Sequence, residues 1–136
     1  MGTIELIKRH EGYRSKPYKC TAGKVTIGFG RNIEDNGIRP DEAELMLLND
    51  INECEAVLCD RIVNWTEHNE VRQGVLINMM YNLGWPRLSK FKKMLAAFES
   101  KDYKLASIEM LDSKWAVQVG RRATELSDIM KAGTHE

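Results

Sequence analysis

The chain has 136 residues, 43% of them hydrophobic, which suits one compact domain with room for two lobes. Formal net charge is zero, yet residues 1–40 carry eight basic and four acidic side chains, residues 41–84 two and nine, and residues 85–136 ten and seven. An acidic middle between basic ends lacks the continuous basic face of a nucleic-acid binder. It reads as solvated helix faces, or as basic lobes that attract an anionic polymer. No apolar run approaches the roughly 20 residues that span a bilayer. The N-terminus opens on a helix, not on a signal-peptide apolar core, so the expectation is no membrane insertion and accumulation in the cytoplasm. Three cysteines, Cys20, Cys54 and Cys59, are an odd count that argues against a disulfide framework. Cys54 and Cys59 fall on different helix faces and no His pair has ligand spacing, so no metal site is expected.

The first predicted element is a helix over 3–11 with Thr3 as N-cap and Gly12 as C-cap. Ile4 and Ile7 share one face, with Glu11 a turn further along it. Residues 16–20 and 24–28 then read as two strands around Thr21-Ala22-Gly23. A three-residue loop sets Cys20 opposite Lys24 and Tyr18 opposite Thr26. Cys20 and Thr26 then project from one face as diagonal neighbours, roughly 7–8 Å apart. A two-residue turn sends them to opposite faces, and the sequence leaves the turn length open. Gly28-Phe29-Gly30 is a bare G-x-G with no third glycine, hence not a dinucleotide loop. Its glycines suit close approach of a backbone or a ligand.

A long helix is expected from Pro40, with Asp41 and Glu42 complementing its dipole. Ala43, Leu47, Ile51, Cys54, Leu58 and Ile62 form its apolar stripe; Cys54 is a core residue on it and Cys59 lies off it. Thr66 is placed as the cap of a helix through about Leu83, stopped by Gly84-Trp85-Pro86. Leu88, Phe91, Leu95 and Phe98 mark the next helix. Asp102 caps one containing Ala106 and Met110, and the last runs from about Arg121 to Lys131. The implied fold class is α+β, mostly helical. A small hairpin lobe (about 12–39) joins a helical lobe (about 40–136) through the long helix, with helix 3–11 packing on the helical lobe and a binding cleft between lobes.

Glu11, eight residues, Cys20, five residues and Thr26 form a spaced triad, flanked by Glu11-Gly12, Tyr18-Lys19 and Thr26-Ile27-Gly28-Phe29-Gly30. Asn36-Gly37-Ile38, Asp41-Glu42-Ala43, Asn78-Met79-Met80-Tyr81-Asn82-Leu83-Gly84, and Trp115 with Gln118 and Arg122 follow in order. Over nearly the whole chain this resembles the phage-type lysozymes, glycoside hydrolase family 24, whose pattern carries an aspartate, less often a cysteine, at the second position. The resemblance implies a lysozyme-like fold and an endolysin that hydrolyses the bond between N-acetylmuramic acid and N-acetylglucosamine in peptidoglycan, lysing the host cell. It implies no cofactor, peptidoglycan glycan strands as partner, a separate holin for release to the cell wall, and a monomer. The chain reads as shortened after Gly30 relative to the T-even phage enzyme. The family's His after the second glycine is replaced by Arg31, so a buried His–Asp pair built on that position should be absent.

Glycosidic cleavage needs an acid for the leaving oxygen and a second group across the sugar. Glu11 is the expected acid, since a carboxyl held partly out of water keeps its proton more readily. Cys20 stands at the aspartate position. A thiol is a weaker base than a carboxylate but a good nucleophile once ionised, and Lys19, Lys24 and Arg9 are near enough in sequence to promote ionisation. Water positioning by Cys20 with Thr26 inverts the anomeric centre, and a covalent intermediate on Cys20 retains it; the slight preference is for water positioning. Two further readings make Cys20 a spacer beside Glu11 and Thr26, or a deliberate replacement of aspartate. Thr26 resembles the family's water-binding hydroxyl, and Arg122 the arginine that pairs with the catalytic glutamate. Gly30, Tyr81, Asn82 and Gln118 match substrate contacts. A partly exposed, readily ionised thiol also predicts redox sensitivity. No separate wall-binding domain is read, which by analogy points to a thin-walled, Gram-negative target. The alternatives are a catalytically impaired peptidoglycan-binding module of the same fold and a helical protein-interaction domain with no sugar site.

Overall fold

The computed structural model describes residues 2–135; Met1 and Glu136, the ends of the expected single domain, lie outside the described residues. The chain divides into two compact units, Met1–Met46 and Leu47–Glu136. The fold is mostly helical with one small antiparallel sheet, the α+β class expected.

The first unit holds helix α1 (Thr3–Glu11), strands β1 (Arg14–Lys19), β2 (Val25–Gly28) and β3 (Arg31–Asn32), helix α2 (Ile33–Asn36) and the start of α3 (Pro40–Arg61). Gly2, not Thr3, takes the N-cap position of α1, with no side-chain cap bond; its carbonyl accepts from Leu6 N at 3.1 Å. Thr3 is the first helical residue, so its hydroxyl sits one position too far in to cap. Gly12 ends the helix at φ +72°, its N–H donating to Lys8 O at 2.8 Å. None of α1's described residues is buried, and Ile4 and Ile7 are exposed.

The hairpin turn has three residues. Cys20 N donates to Lys24 O at 3.0 Å, Gly23 N donates to Cys20 O at 2.8 Å, and Tyr18 pairs with Thr26. Gly23 takes φ +78°, the left-handed position that such a loop requires. The condition set by the sequence is therefore met, and Cys20 and Thr26 share a face. β1 starts two residues earlier than expected, with a register shift between Arg14 and Tyr18 that accommodates Pro17. β3 and α2 were not anticipated. Two-residue β3 is too short to show a period, and α2 is one turn capped by Asn32, whose Oδ1 accepts from Asp35 N at 3.1 Å.

Thr26 is the buried residue of the first unit among those described; every buried apolar residue belongs to the second. Ion pairs and ring contacts hold the first unit in place of a core. Lys24 Nζ lies 3.3 Å from Asp35 and 3.6 Å from Glu34. Tyr13 packs on Phe29 at 5.5 Å, with Lys8 over the same ring.

The second unit contains the rest of α3, a 3-10 turn (Trp65–Glu67), α4 (Glu70–Leu83), α5 (Trp85–Leu88), α6 (Lys92–Glu99), α7 (Tyr103–Leu111), α8 (Lys114–Val119) and α9 (Arg121–Ala132). On the α3 stripe Leu58 and Ile62 are buried and Cys54 packs on the core, while Ala43 and Leu47 are exposed and Cys59 is exposed off the stripe. Asn69 replaces Thr66 as the cap of α4, its Oδ1 accepting from Arg72 N at 2.9 Å; Thr66 lies in the 3-10 turn. The single helix expected over Leu88–Phe98 is two, because the chain leaves α5 at Ser89 and α6 begins at Lys92. Asp102 caps α7 as expected, accepting from Leu105 N at 3.1 Å. The unanticipated α8 is capped by Ser113 Oγ, which accepts from Ala116 N at 3.1 Å. α7 packs on α6 and α9, and α4 on α9. Phe98, Leu58, Leu76, Met79, Leu88, Met94, Met110 and Met130 fill the core. Arg72 ties it to the end of α9, donating to Met130 O at 2.7 Å and Lys131 O at 2.9 Å while stacking on the Tyr103 ring.

Candidate active site

Glu11, Cys20, Thr26 and Gly30 fall in the first unit; Tyr81, Asn82, Gln118 and Arg122 fall in the second. Glu11 is the last residue of α1 and is exposed. Its carboxylate is seated on the backbone of Gly30. A Cβ added at Gly30 would stand 2.5 Å from Glu11 Oε2, 2.7 Å from Cδ and 3.0 Å from Cγ. Gly30 also takes φ +81°. Two independent constraints, a left-handed backbone and an occupied Cβ position, therefore require glycine there. The close approach expected at the G-x-G is to the Glu11 side chain.

Across the hairpin, the Cys20 thiol is half-buried and held below the usual cysteine value. The main cause is the Lys24 backbone N–H, then that of Ala22, then the Thr26 side chain; each favours the thiolate. The cations named from sequence are not the source. The ammonium of Lys24 is turned to Glu34 and Asp35. Thr26 is 2% exposed, and its hydroxyl donates to Lys24 O at 2.9 Å. Lys24 thus serves both residues through its main chain, which no side-chain pattern could have disclosed.

Arg31, where the family has histidine, forms a two-pronged ion pair. Nη1 donates to Glu42 Oε1 at 2.9 Å and to Gly37 O at 3.2 Å, and Nη2 donates to Glu42 Oε2. Glu42 Oε1 also accepts from Arg39 N at 2.8 Å. The Arg31 guanidinium and the Arg39 N–H hold the Glu42 carboxyl at about 2. The sequence marks Glu42 only as a dipole partner of α3; its grip on Arg31 has no local signal.

In the second unit, Arg122 Nε donates to Asn78 Oδ1 at 2.9 Å and Nη2 donates to the same oxygen at 2.6 Å. Arg122, Asn78 and the exposed Tyr81 line a cavity of about 490 Å³ with Leu47, Ile51 and Ile77. Asn82 Oδ1 accepts from Trp115 Nε1 at 2.7 Å, which commits its carbonyl and leaves its amide free to donate. Gln118 is exposed and lines a smaller cavity of about 350 Å³ with Trp115, Arg87 and Lys114. Asn78, the partner of Arg122, was visible in the sequence only as a landmark. Each of these groups presents donors or an aromatic face suited to sugar hydroxyl and amide groups.

The sequence matches the phage lysozyme family over residues 8–130. It is 32% identical to the protein named "Endolysin" of Acyrthosiphon pisum secondary endosymbiont phage 1, over 94% of this chain and 87% of that one. It is 30% identical to "Probable T4-type lysozyme 2" of Dictyostelium discoideum, over 96% of this chain and 94% of that one. It is also 26% identical to the "Pre-baseplate central spike protein Gp5" of Enterobacteria phage T4, of which it covers 28%. A glutamate at a helix end, a hairpin carrying Cys20 and Thr26, and a match that spans most of the chain agree: the chain belongs to the phage lysozyme family.

Proposed function

We propose that the protein is a muramidase. It hydrolyses the bond between N-acetylmuramic acid and N-acetylglucosamine in peptidoglycan, as a phage endolysin that lyses the host. One observation carries this reading. A single small unit holds a helix-end carboxylate seated by Gly30 and a hairpin thiol polarised by N–H donors, at the family's motif spacing. Family membership and the endolysin and lysozyme names of its relatives support it.

In the proposed reaction Glu11 gives its proton to the glycosidic oxygen as the bond to the anomeric carbon breaks. On the hairpin side a water attacks that carbon and passes its proton to the Cys20 thiolate, inverting the centre. In the retaining course the Cys20 sulfur bonds to the carbon and water later displaces it. Thr26 is buried with its proton on Lys24 O, so its hydroxyl oxygen serves the attacking water as an acceptor. Gly30, Tyr81, Asn82 and Gln118 serve the glycan as contacts, and Arg122 has an orienting, electrostatic role. The enzyme acts as a monomer without a cofactor, accumulates in the host cytoplasm and depends on a holin.

The test is chemical. Digested peptidoglycan is reduced with borohydride and hydrolysed. A muramidase yields muramitol; glucosaminitol points to the other glycosidic bond. Wall binding with neither product identifies a binding module of the same fold.

A further inference from the structure

We propose that Arg31 and Glu42 are positioning residues for Glu11, an inference that rests on Glu11 being the acid. The carboxylate of Glu11 lies against Gly30, and Gly30 precedes the two-residue strand β3 directly. β3 pairs with β2 only through Thr26–Asn32 and Ile27–Arg31. An edge strand this short has few backbone bonds to fix its place. Bonds through the following helix α2 help hold it, with Val25 N donating to Glu34 Oε1 at 3.1 Å; the direct hold on the strand is the Arg31 side chain, clamped by Glu42 on the first turn of α3 and by Gly37 O. Glu42 is in turn oriented by the Arg39 N–H. A bidentate guanidinium–carboxylate pair sets direction as well as distance. Its anchor point is one residue from the α-carbon on which Glu11 rests. The same strand also pairs with Thr26, so one clamp fixes the seat of the acid and the strand that carries the hairpin hydroxyl.

The experiment uses the full chain with Glu42→Gln and with Arg31→Lys, which conserves charge and removes the planar fork. Asp41→Asn is the control, a neighbouring acid on the same turn whose partner is Arg39. Two quantities are read well below the melting temperature. One is kcat and KM on solubilised glycan strands. The other is the 13C side-chain carboxyl resonance of Glu11, which reports the seat whether or not turnover depends on Glu11. Both clamp variants should lower kcat about tenfold with KM within about twofold, the scale of a sub-ångström misplacement, and both should move the Glu11 resonance; Asp41→Asn should do neither. A Glu11 resonance unmoved in the folded clamp variants, with only the melting temperature lowered, overturns the proposal. Should Glu42→Gln not fold, Arg31→Lys is read in the same way. If Glu11→Gln itself keeps full turnover, the acid assignment fails separately, and the resonance still decides whether the clamp sets the seat.

Discussion

Gly30→Ala should nearly abolish turnover, while Gly28→Ala should not. The two glycines lie two residues apart with φ +81° and +71°, so alanine costs each about 1–2 kcal/mol of backbone energy. Their surroundings differ. A Cβ at Gly28 meets nothing within 4 Å, whereas at Gly30 it falls 2.5 Å from Glu11 Oε2. Ordinary contact begins near 3.4 Å, so the carboxylate must retreat by roughly 1 Å, a misplacement worth about a hundredfold in rate. Both variants should therefore lose similar stability in thermal melts. Only Gly30→Ala should lose about two orders of magnitude in the initial rate of reducing-end release, read well below either melting temperature. Equal rate losses in the two variants would refute the reasoning, as would a Gly30→Ala enzyme of normal rate.

Cys20→Ala should lower kcat about a hundredfold, within the usual contribution of a general base, while Cys20→Asp should retain activity and resist mild peroxide; a peroxide-treated native enzyme that keeps its rate after mass analysis confirms Cys20 oxidation argues against a reactive thiol. His68 is buried between Phe98, Tyr103 and Asn64 and held below the usual histidine value, first by burial and then by Lys101. Its neutral form is the one the fold accepts, so stability is complete above the unfolded value of about 6.5 and declines as pH falls from there toward the lowered folded value. Denaturant melts at pH 7.5 and 5.5 should show that decline, and His68→Gln should flatten it. Glu42, at about 2 in the fold against an ordinary 4.5, contributes stability that is complete above 4.5 and lost as pH falls toward 2; Glu42→Gln should weaken the acid-induced loss in that window. Leu76→Ala, at a fully buried core position, should cost about 3 kcal/mol in equilibrium melts.

The sequence made legible what periodicity and spacing encode. α3 begins at Pro40, α7 follows Asp102, and Cys20 and Thr26 share a face once the turn has three residues. It did not make legible what depends on which neighbour arrives first in space. Asn69 outcompetes Thr66 as a cap because its side chain reaches Arg72 N. The Cys20 thiol responds to main-chain N–H groups of the turn, and Lys24, one of the three cations expected to activate it, is held by Glu34 and Asp35. Glu42 looked like a helix-dipole residue, and only the folded β3 shows it gripping Arg31. Main-chain donors carry no residue signature, and a long-range ion pair has none until the chain is closed.

The most direct test of the muramidase reading is clearing of outer-membrane-permeabilised Gram-negative cells by the unmodified protein beside Glu11→Gln. Clearing by the former and none by a folded Glu11→Gln is the predicted result. Equal clearing by both would remove Glu11 from the reaction, and a folded, unmodified protein that binds walls without clearing them would contradict the enzyme reading itself.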